Sequence, residues 1–335
     1  ALDPREGLVE FRDFKGLRNT VDERNFDNGD LSVALNCDID DGLNITRRKG
    51  FSTVVVAGVD RALFAAGSTC LGVGSNALKQ ILPNYGTTTL RSGLTALRDL
   101  SYAAVADRVY YTNGIENGVV ENGASRTWGL TVPGLPTASA TGGSLRAGRY
   151  QFVVTYLRED GQESGASRAG VFELTSAGGV ALSAIPVSAD PTVTHKAVYA
   201  TAVDGGEFYR AGIITNATTA FSILELRTDA APLETQFLSP PPAGDFIGYW
   251  GGIMLVMQGS RLYPSEPYAP ELFDLRKAVP FTDRGTMVAP TKDGVWLGTD
   301  SEIIWLAGDS PEKWTYTQRA DYGVIPGTMA YAPGE

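Results

Sequence analysis

One histidine, His195, occurs in 335 residues. A histidine-bearing metal centre has no second imidazole to draw on, and a Ser-His-Asp triad has no candidate base besides His195. Beside Lys196 on an expected strand, the ring reads as a solvent-facing or edge residue. Cysteine is nearly as scarce, with two residues, Cys37 and Cys70. Both fall in expected strands and read as two buried free thiols, with a disulfide as the alternative. A basic excess is missing: 28 Lys and Arg stand against 38 Asp and Glu, a formal net charge of −10. A protein that grips DNA by neutralising phosphates normally shows the opposite balance. No apolar run approaches the roughly 18 residues that span a bilayer. The opening Ala1-Leu2-Asp3-Pro4-Arg5-Glu6 has neither signal nor transit character. The expectation is a soluble chain that accumulates in a cytoplasm, with no membrane anchor.

Long helical periodicity is also absent. In its place stand short apolar runs broken by Gly, Asn-Gly, Asp-Gly and Pro, in a chain with 39 Gly and 18 Pro. That pattern argues all-β. The length allows two or three domains, and composition separates three sections: 1–134, 135–244 and 245–335. In the first, strands are expected at Ser52–Ala57, Ala62–Ala66, Cys70–Gly74, Leu78–Leu82, Ser101–Ala106, Arg108–Thr112 and Gly118–Glu121, joined as antiparallel meanders. The middle section lies between Pro133-Gly134-Leu135-Pro136 and Pro240-Pro241-Pro242, stiff stretches that leave no room for ladder hydrogen bonds. Its strand Gly148–Tyr156 puts Tyr150, Phe152, Val154 and Tyr156 on one face, and a second strand runs from His195 to Thr201. About 100 residues of this kind make a β-sandwich, and the Gly148-to-Tyr156 strand, the Asp160-Gly161 turn and Glu163-Ser164 resemble fibronectin-type-III-like insertions of phage virion proteins. The third section resumes the first, with strands at Ile247–Trp250, Gly251–Met257, Thr286–Pro290, Gly294–Thr299, Glu302–Ala307, Trp314–Arg319 and Met329–Ala332. Strand starts near Ala62, Leu100, Ile247, Met287 and Met329 recur at roughly 40 residues once the middle section is removed, the period of a propeller blade. The expected fold is therefore a β-propeller-like domain interrupted by an inserted fibronectin III/Ig-like β-sandwich. The last repeat has only begun at Glu335, so the expectation is that another segment closes the ring, that the chain was cut, or that the N-terminal strands close it.

The common chemical motifs fail on inspection. With Asn36 as position 1 of a calcium loop, position 6 is Asp41 where Gly is needed, and position 12 is Arg47 where Glu is needed. Gly67 to Gly74 lacks the Gly-Lys-Ser/Thr of a phosphate loop. Lys292-Asp293-Gly294-Val295-Trp296 approaches a sialidase-type box, but it occurs once and without the leading Ser. Glycosidase work needs two convergent carboxylates, and nothing selects a pair. No catalytic, metal or cofactor residue is nominated.

The stretch Leu35 to Phe51 carries the most information. Val33, Leu35, Cys37 and Ile39 alternate with small or polar residues, the pattern of a half-buried strand. Asp41-Gly42 suits a type I′ turn, Leu43 and Ile45 resume the alternation, and Arg47-Arg48-Lys49 leads to Gly50-Phe51. Upstream lies Phe14-Lys15-Gly16-Leu17. Together Phe14, Gly16, Ala34, Asn36, Asp38, Ile39, Asp40, Gly42, Arg47, Arg48, Gly50 and Phe51 resemble the N-terminus of podovirus-type phage tail nozzle and tail-stabilisation (tail tubular) proteins. Later elements resemble the family too: Tyr263-Pro264-Ser265-Glu266-Pro267 with Pro270-Glu271-Leu272-Phe273, Asp293 to Thr299, and Gly308-Asp309-Ser310-Pro311 with Tyr322 to Thr328. The resemblance implies a non-enzymatic virion protein forming a homo-oligomeric ring, usually a hexamer, below the head-to-tail adaptor. Double-stranded DNA would pass through it without specific binding. Phe14, Gly16, Asn36, Asp38, Asp40, Gly42, Arg47, Arg48 and Gly50 become candidate subunit-interface residues, with Arg47, Arg48 and Lys49 facing carboxylates such as Asp38 and Asp40 of a neighbour. The alternatives are a carbohydrate-binding or carbohydrate-active propeller at the host surface, and a secreted adhesin.

Overall fold

The computed structural model describes residues 14–18, 22–27, 29–39, 42–48, 50 and 58–330. Expectations for Asp40, Asp41, Lys49, Phe51, the strand at 52–57 and residues 331–332 lie outside them. The chain forms two compact units, Ala1–Val55 and Val56–Glu335. No helix among the described residues is long and apolar enough to cross a membrane. The described elements are strands and three short 3-10 turns, so the chain is all-β.

Among its described residues, the first unit holds two small sheets. Strands β1 (Gly16–Leu17) and β2 (Asp30–Leu31) pair in parallel. Strands β3 (Cys37–Ile39) and β4 (Ile45–Arg47) form an antiparallel hairpin.

In the second unit, β5 (Arg61–Ala66), β6 (Thr69–Gly74), β7 (Ala77–Ile81) and β8 (Thr87–Arg91) make a four-stranded meander. A second meander follows from β9 (Ser101–Val105), β10 (Arg108–Thr112), β11 (Asn117–Glu121) and β12 (Ala124–Arg126). The middle section builds two sheets. One holds β13 (Thr137–Leu145), β16 (Gly178–Ser183) and β19 (Phe221–Ile223). The other holds β14 (Gly148–Arg158), β15 (Gly170–Leu174), β17 (Val193–Thr201) and β18 (Phe208–Thr215). Two further sheets complete the unit. The third meander is β20 (Phe246–Trp250), β21 (Ile253–Gln258), β22 (Arg261–Glu266) and β23 (Ala269–Phe273), with β24 (Val279–Pro280) added to β22. The fourth is β25 (Gly285–Thr291), β26 (Gly294–Thr299), β27 (Ile303–Ala307) and β28 (Thr315–Ala320).

Alternation explains the stacking. On β10, Val109 and Tyr111 enter a core shared with Leu71, Val73 and Leu78 of the first meander. Tyr110, pointing to the opposite face, joins Ile247, Met254 and Val256 of the third. On β21, Met254 and Val256 serve that core, while Leu255 and Met257 serve the next one with Val288, Leu297 and Leu306 of the fourth meander. The middle strands thus bury both faces, which is why they read as near-continuous apolar runs. Strand β20 packs against β9 on one side and β25 on the other, although the whole middle section separates it from β9 in sequence. Ion pairs bridge each junction between successive meanders: Arg61–Asp99 at 3.5 Å, Arg98–Asp245 at 3.3 Å and Arg284–Asp245 at 3.1 Å. In the middle section, Tyr150, Phe152 and Val154 of β14 meet Val180 and Leu182 of β16 in a core between its two sheets. Tyr156, on the same face, packs instead with Leu130 and Val193.

Several local expectations change. Val33 and Leu35 are 65% and 81% exposed, and the strand covers only Cys37–Ile39. Ile39 pairs with Ile45, so the connection spans five residues and is not a two-residue turn at Asp41-Gly42; Leu43 takes a φ of 59° within it. Cys37 and Cys70 are free thiols as expected, but half-buried. Met329 and Ala330 are exposed and outside any strand. The chain at Ser239, next to the Pro240-Pro241-Pro242 exit, does make ladder bonds, exchanging both main-chain hydrogen bonds with Phe273 at 2.9 Å.

Candidate functional site

The sequence nominates the N-terminal hairpin, and the structure joins its pieces. The Phe14 N–H donates to the Leu43 carbonyl at 2.9 Å, fixing the Phe-x-Gly element to the hairpin connection. Gly16 follows with φ 118°, a conformation that an L side chain resists. Asn36 occupies the left-handed region at φ 54°, which Asn tolerates, and its carbonyl accepts from the Arg48 N–H at 2.9 Å. The Arg48 guanidinium reaches Asp38 of its own hairpin at 3.0 Å. Within the single chain, therefore, Asp38 is already partnered by Arg48. Arg47, Gly42 and Gly50 are exposed; Asp40 lies outside the described residues. Arg18 donates to Asp30 at 2.7 Å and that bond holds the Asp30 carboxyl below its ordinary range. The unit shows large apolar side chains to solvent: besides Val33 and Leu35, Leu17 is 55% exposed, and Leu43 and Ile45 are exposed as well.

A second arrangement was not legible as a site in the sequence. Glu271 on β23 is 1% exposed. Arg126, at the end of β12, donates to its two oxygens at 2.7 and 3.3 Å. Arg158, at the end of β14, donates to the same two oxygens at 3.0 and 3.2 Å, and Arg108 stands 3.7 Å away. Glu121 pairs with Arg108 at 2.7 Å and Arg126 at 3.1 Å, and Asp160 pairs with Arg158 at 2.9 Å. Three cations and three anions from the second meander, the middle section and the third meander close one seam. A buried charge is tolerable only when so paired. Burial pushes the Glu121 carboxyl up, but hydrogen bonds from Arg126 and Arg108 outweigh it and set the group below its ordinary value. The hydrogen bond from Arg158 lowers Asp160. Trp128 seals the seam, its indole N–H donating to the Pro270 carbonyl at 2.8 Å. The available signal was Glu271 two residues before Phe273, a charge on the inward face of an apolar strand.

Cavities open between neighbouring sheets of the described residues, and two of them are sizeable. The larger, about 870 Å³, is bordered by β8, the turns of the second meander and residues 190–192. Three of its charged groups are engaged by neutral partners within the protein: Glu116 with Thr95 and Asn113, Asp190 with Thr127 and Thr192, Arg91 with Tyr111 and the Asn117 carbonyl. The smaller, about 420 Å³, is lined by residues that include Phe281, Glu302, Tyr316 and Gln318. His195 is exposed on β17, with Nδ1 3.0 Å from its neighbour Thr194 Oγ1, an arrangement without a nucleophile–base–carboxylate relay. Among the described residues, no group of three or more His, Cys, Asp or Glu is placed to hold a metal.

No family model matches the chain, and no curated protein matches it. Among solved structures, it is similar to apo AztD from Citrobacter koseri at 11% identity and a TM-score of 0.20, over 78% of this chain and 73% of that one. It is also similar to PorZ, a bacterial surface component of the type-IX secretion system of Porphyromonas gingivalis, at 11% identity and a TM-score of 0.17, over 87% of this chain and 44% of that one. At such scores neither likeness carries an argument about fold or role.

Proposed function

We propose that the chain is a structural subunit of a phage short tail, of the nozzle or tail-tube kind, working as a ring through which the genome passes. The observation that carries this reading is the N-terminal hairpin. The motif residues Phe14, Asn36, Asp38 and Arg48 are tied together by hydrogen bonds and an ion pair, yet the same unit leaves Leu17, Val33 and Leu35 more than half exposed. Well-defined main-chain geometry beneath uncovered apolar side chains suits a segment that is finished by a neighbour. Arg47, exposed and beside the Arg48–Asp38 pair, is the cation to meet a neighbour's carboxylate, while Arg48 serves its own hairpin.

The fold proposed with it is an arc of propeller blades interrupted by an inserted fibronectin-like β-sandwich. Four meanders with their first strands side by side, and one core between each successive pair, support the arc. Contact between β9 and β20 across the inserted section supports the interruption. Partners in this reading are further copies of the chain, usually six in the resembled family, the head-to-tail adaptor and other tail proteins. The place is the virion tail, after assembly in the host cytoplasm. DNA slides past without being held, because copies each carrying a net charge of −10 repel phosphate. Mass photometry with and without tail components, together with electron microscopy of the particle, tests the proposal: a ring is expected, and a chain that stays monomeric inside the assembled particle overturns it. Micromolar duplex DNA binding in a mobility shift at about 0.1 M salt overturns the conduit.

A further inference from the structure

The smaller cavity differs in kind from the larger one. Its floor is Ile304 of β27, and two aromatic rings wall it: Phe281, just after β24, and Tyr316 of β28, with centroids 5.8 Å apart and planes tilted by 49°. Gln318 lies two residues along β28 from Tyr316, so both side chains leave the same face of the strand. Glu302 and Thr282 complete the rim. The Phe281 N–H donates to the Ser260 carbonyl at 2.8 Å, and the main chain of Glu302 is bonded to Thr299 in both directions, so the main chain at these two rim positions is held before anything binds, while Tyr316, Gln318 and Thr282 stand exposed to solvent. In the larger cavity the charged groups are consumed by protein partners. Here, among the described residues, the Glu302 carboxylate, the Gln318 carboxamide and the Tyr316 and Thr282 hydroxyls make no hydrogen bond or ion pair within the protein.

We infer that this pocket binds a neutral pyranose, the end or branch of a glycan. A pyranose presents an apolar C–H face to an aromatic ring and a rim of hydroxyls that both donate and accept. The pocket supplies two ring faces, a carboxylate able to accept from two adjacent hydroxyls, an amide that donates and accepts, and two hydroxyls. About 420 Å³ falls in the range of small-molecule sites and admits one or two sugar rings. Acidic sugars are disfavoured by Glu302 and by the net charge of −10. An organic cation would suit rings and carboxylate, but it would leave the Gln318 and Thr282 donors without acceptors, which a sugar supplies. The inference stands apart from the tail reading, since a monomer would carry the pocket as well as a ring.

Saturation-transfer NMR on the full chain tests it, with methyl glycosides of glucose, galactose and mannose and with N-acetylglucosamine, each at about 5 mM. Transfer to the ring C–H protons of at least one sugar is expected. Glu302→Ala and Gln318→Ala should weaken binding about tenfold and Tyr316→Ala at least as much. The first two variants should melt with the parent, because neither side chain is bonded within the fold. Absence of transfer from every sugar overturns the inference. So does transfer unchanged in all three variants, or tetramethylammonium binding about tenfold tighter than the best sugar.

Discussion

Replacing Glu271 by Ala removes the carboxylate on which the seam between the meanders and the middle section converges. Four hydrogen bonds at 2.7, 3.0, 3.2 and 3.3 Å disappear. Breaking a buried ion pair by deleting one partner typically costs about 3–5 kcal/mol, because the other charge stays desolvated. Here Arg158 keeps Asp160 at 2.9 Å and Arg126 keeps Glu121 at 3.1 Å, so neither guanidinium is orphaned. The loss should therefore sit near the lower end, about 3 kcal/mol. At about 2–3 °C per kcal/mol for a unit this large, the melting midpoint should fall by roughly 6–9 °C. Glu271→Met combined with Arg158→Met should cost less than the two single changes added together, since the pair is then replaced by apolar volume. Differential scanning fluorimetry gives the midpoints, and limited proteolysis separates undocking from global unfolding: cleavage should rise first around 133–136 and 240–244. A midpoint for Glu271→Ala within about 2 °C of the parent, with no new cleavage there, would show that the seam does not hold these sheets together.

Deleting residues 137–242 behind a Gly/Ser bridge should leave a β protein that melts cooperatively but below the parent, because Glu271 loses Arg158 and Leu130 loses Tyr156 and Val193; circular dichroism with a thermal ramp decides it, and non-cooperative melting refutes the boundaries. Stability should decline in acid. Asp160 and Glu121 are held below their ordinary values, so their contribution is complete above the unfolded pKa of about 4 and is lost as pH falls through the depressed folded values. Midpoints measured between about pH 7 and pH 2.5 should show this fall, with a shallower slope in Arg158→Met. Arg48→Ala should change stability by less than about 0.5 kcal/mol, since its pair with Asp38 is exposed. Arg47→Glu should reduce ring formation in mass photometry without moving the melting midpoint; rings at the parental level would remove Arg47 from the interface.

The sequence by itself determined the all-β class and many of the strands. Arg108–Thr112 and Gly294–Thr299 have the bounds that their patterns imply, because both runs are apolar and both are cut by turns at each end. Such signals are local. Thr87–Arg91, Ala124–Arg126 and Thr137–Leu145 were silent, being edge strands whose polar side chains leave no apolar period. The alternation at Val33 and Leu35 pointed to burial that the single chain does not provide; a period records which side chains share a face, and it carries no information on what covers that face. Tertiary structure alone decided the rest. Glu271 meets Arg126 and Arg158 from 145 and 113 residues away, and Phe281 meets Tyr316 only because β24 joins the third meander while β28 closes the fourth. Pairings of that range depend on how sheets stack, and stacking is set by the summed burial of many side chains, which no single stretch of residues encodes.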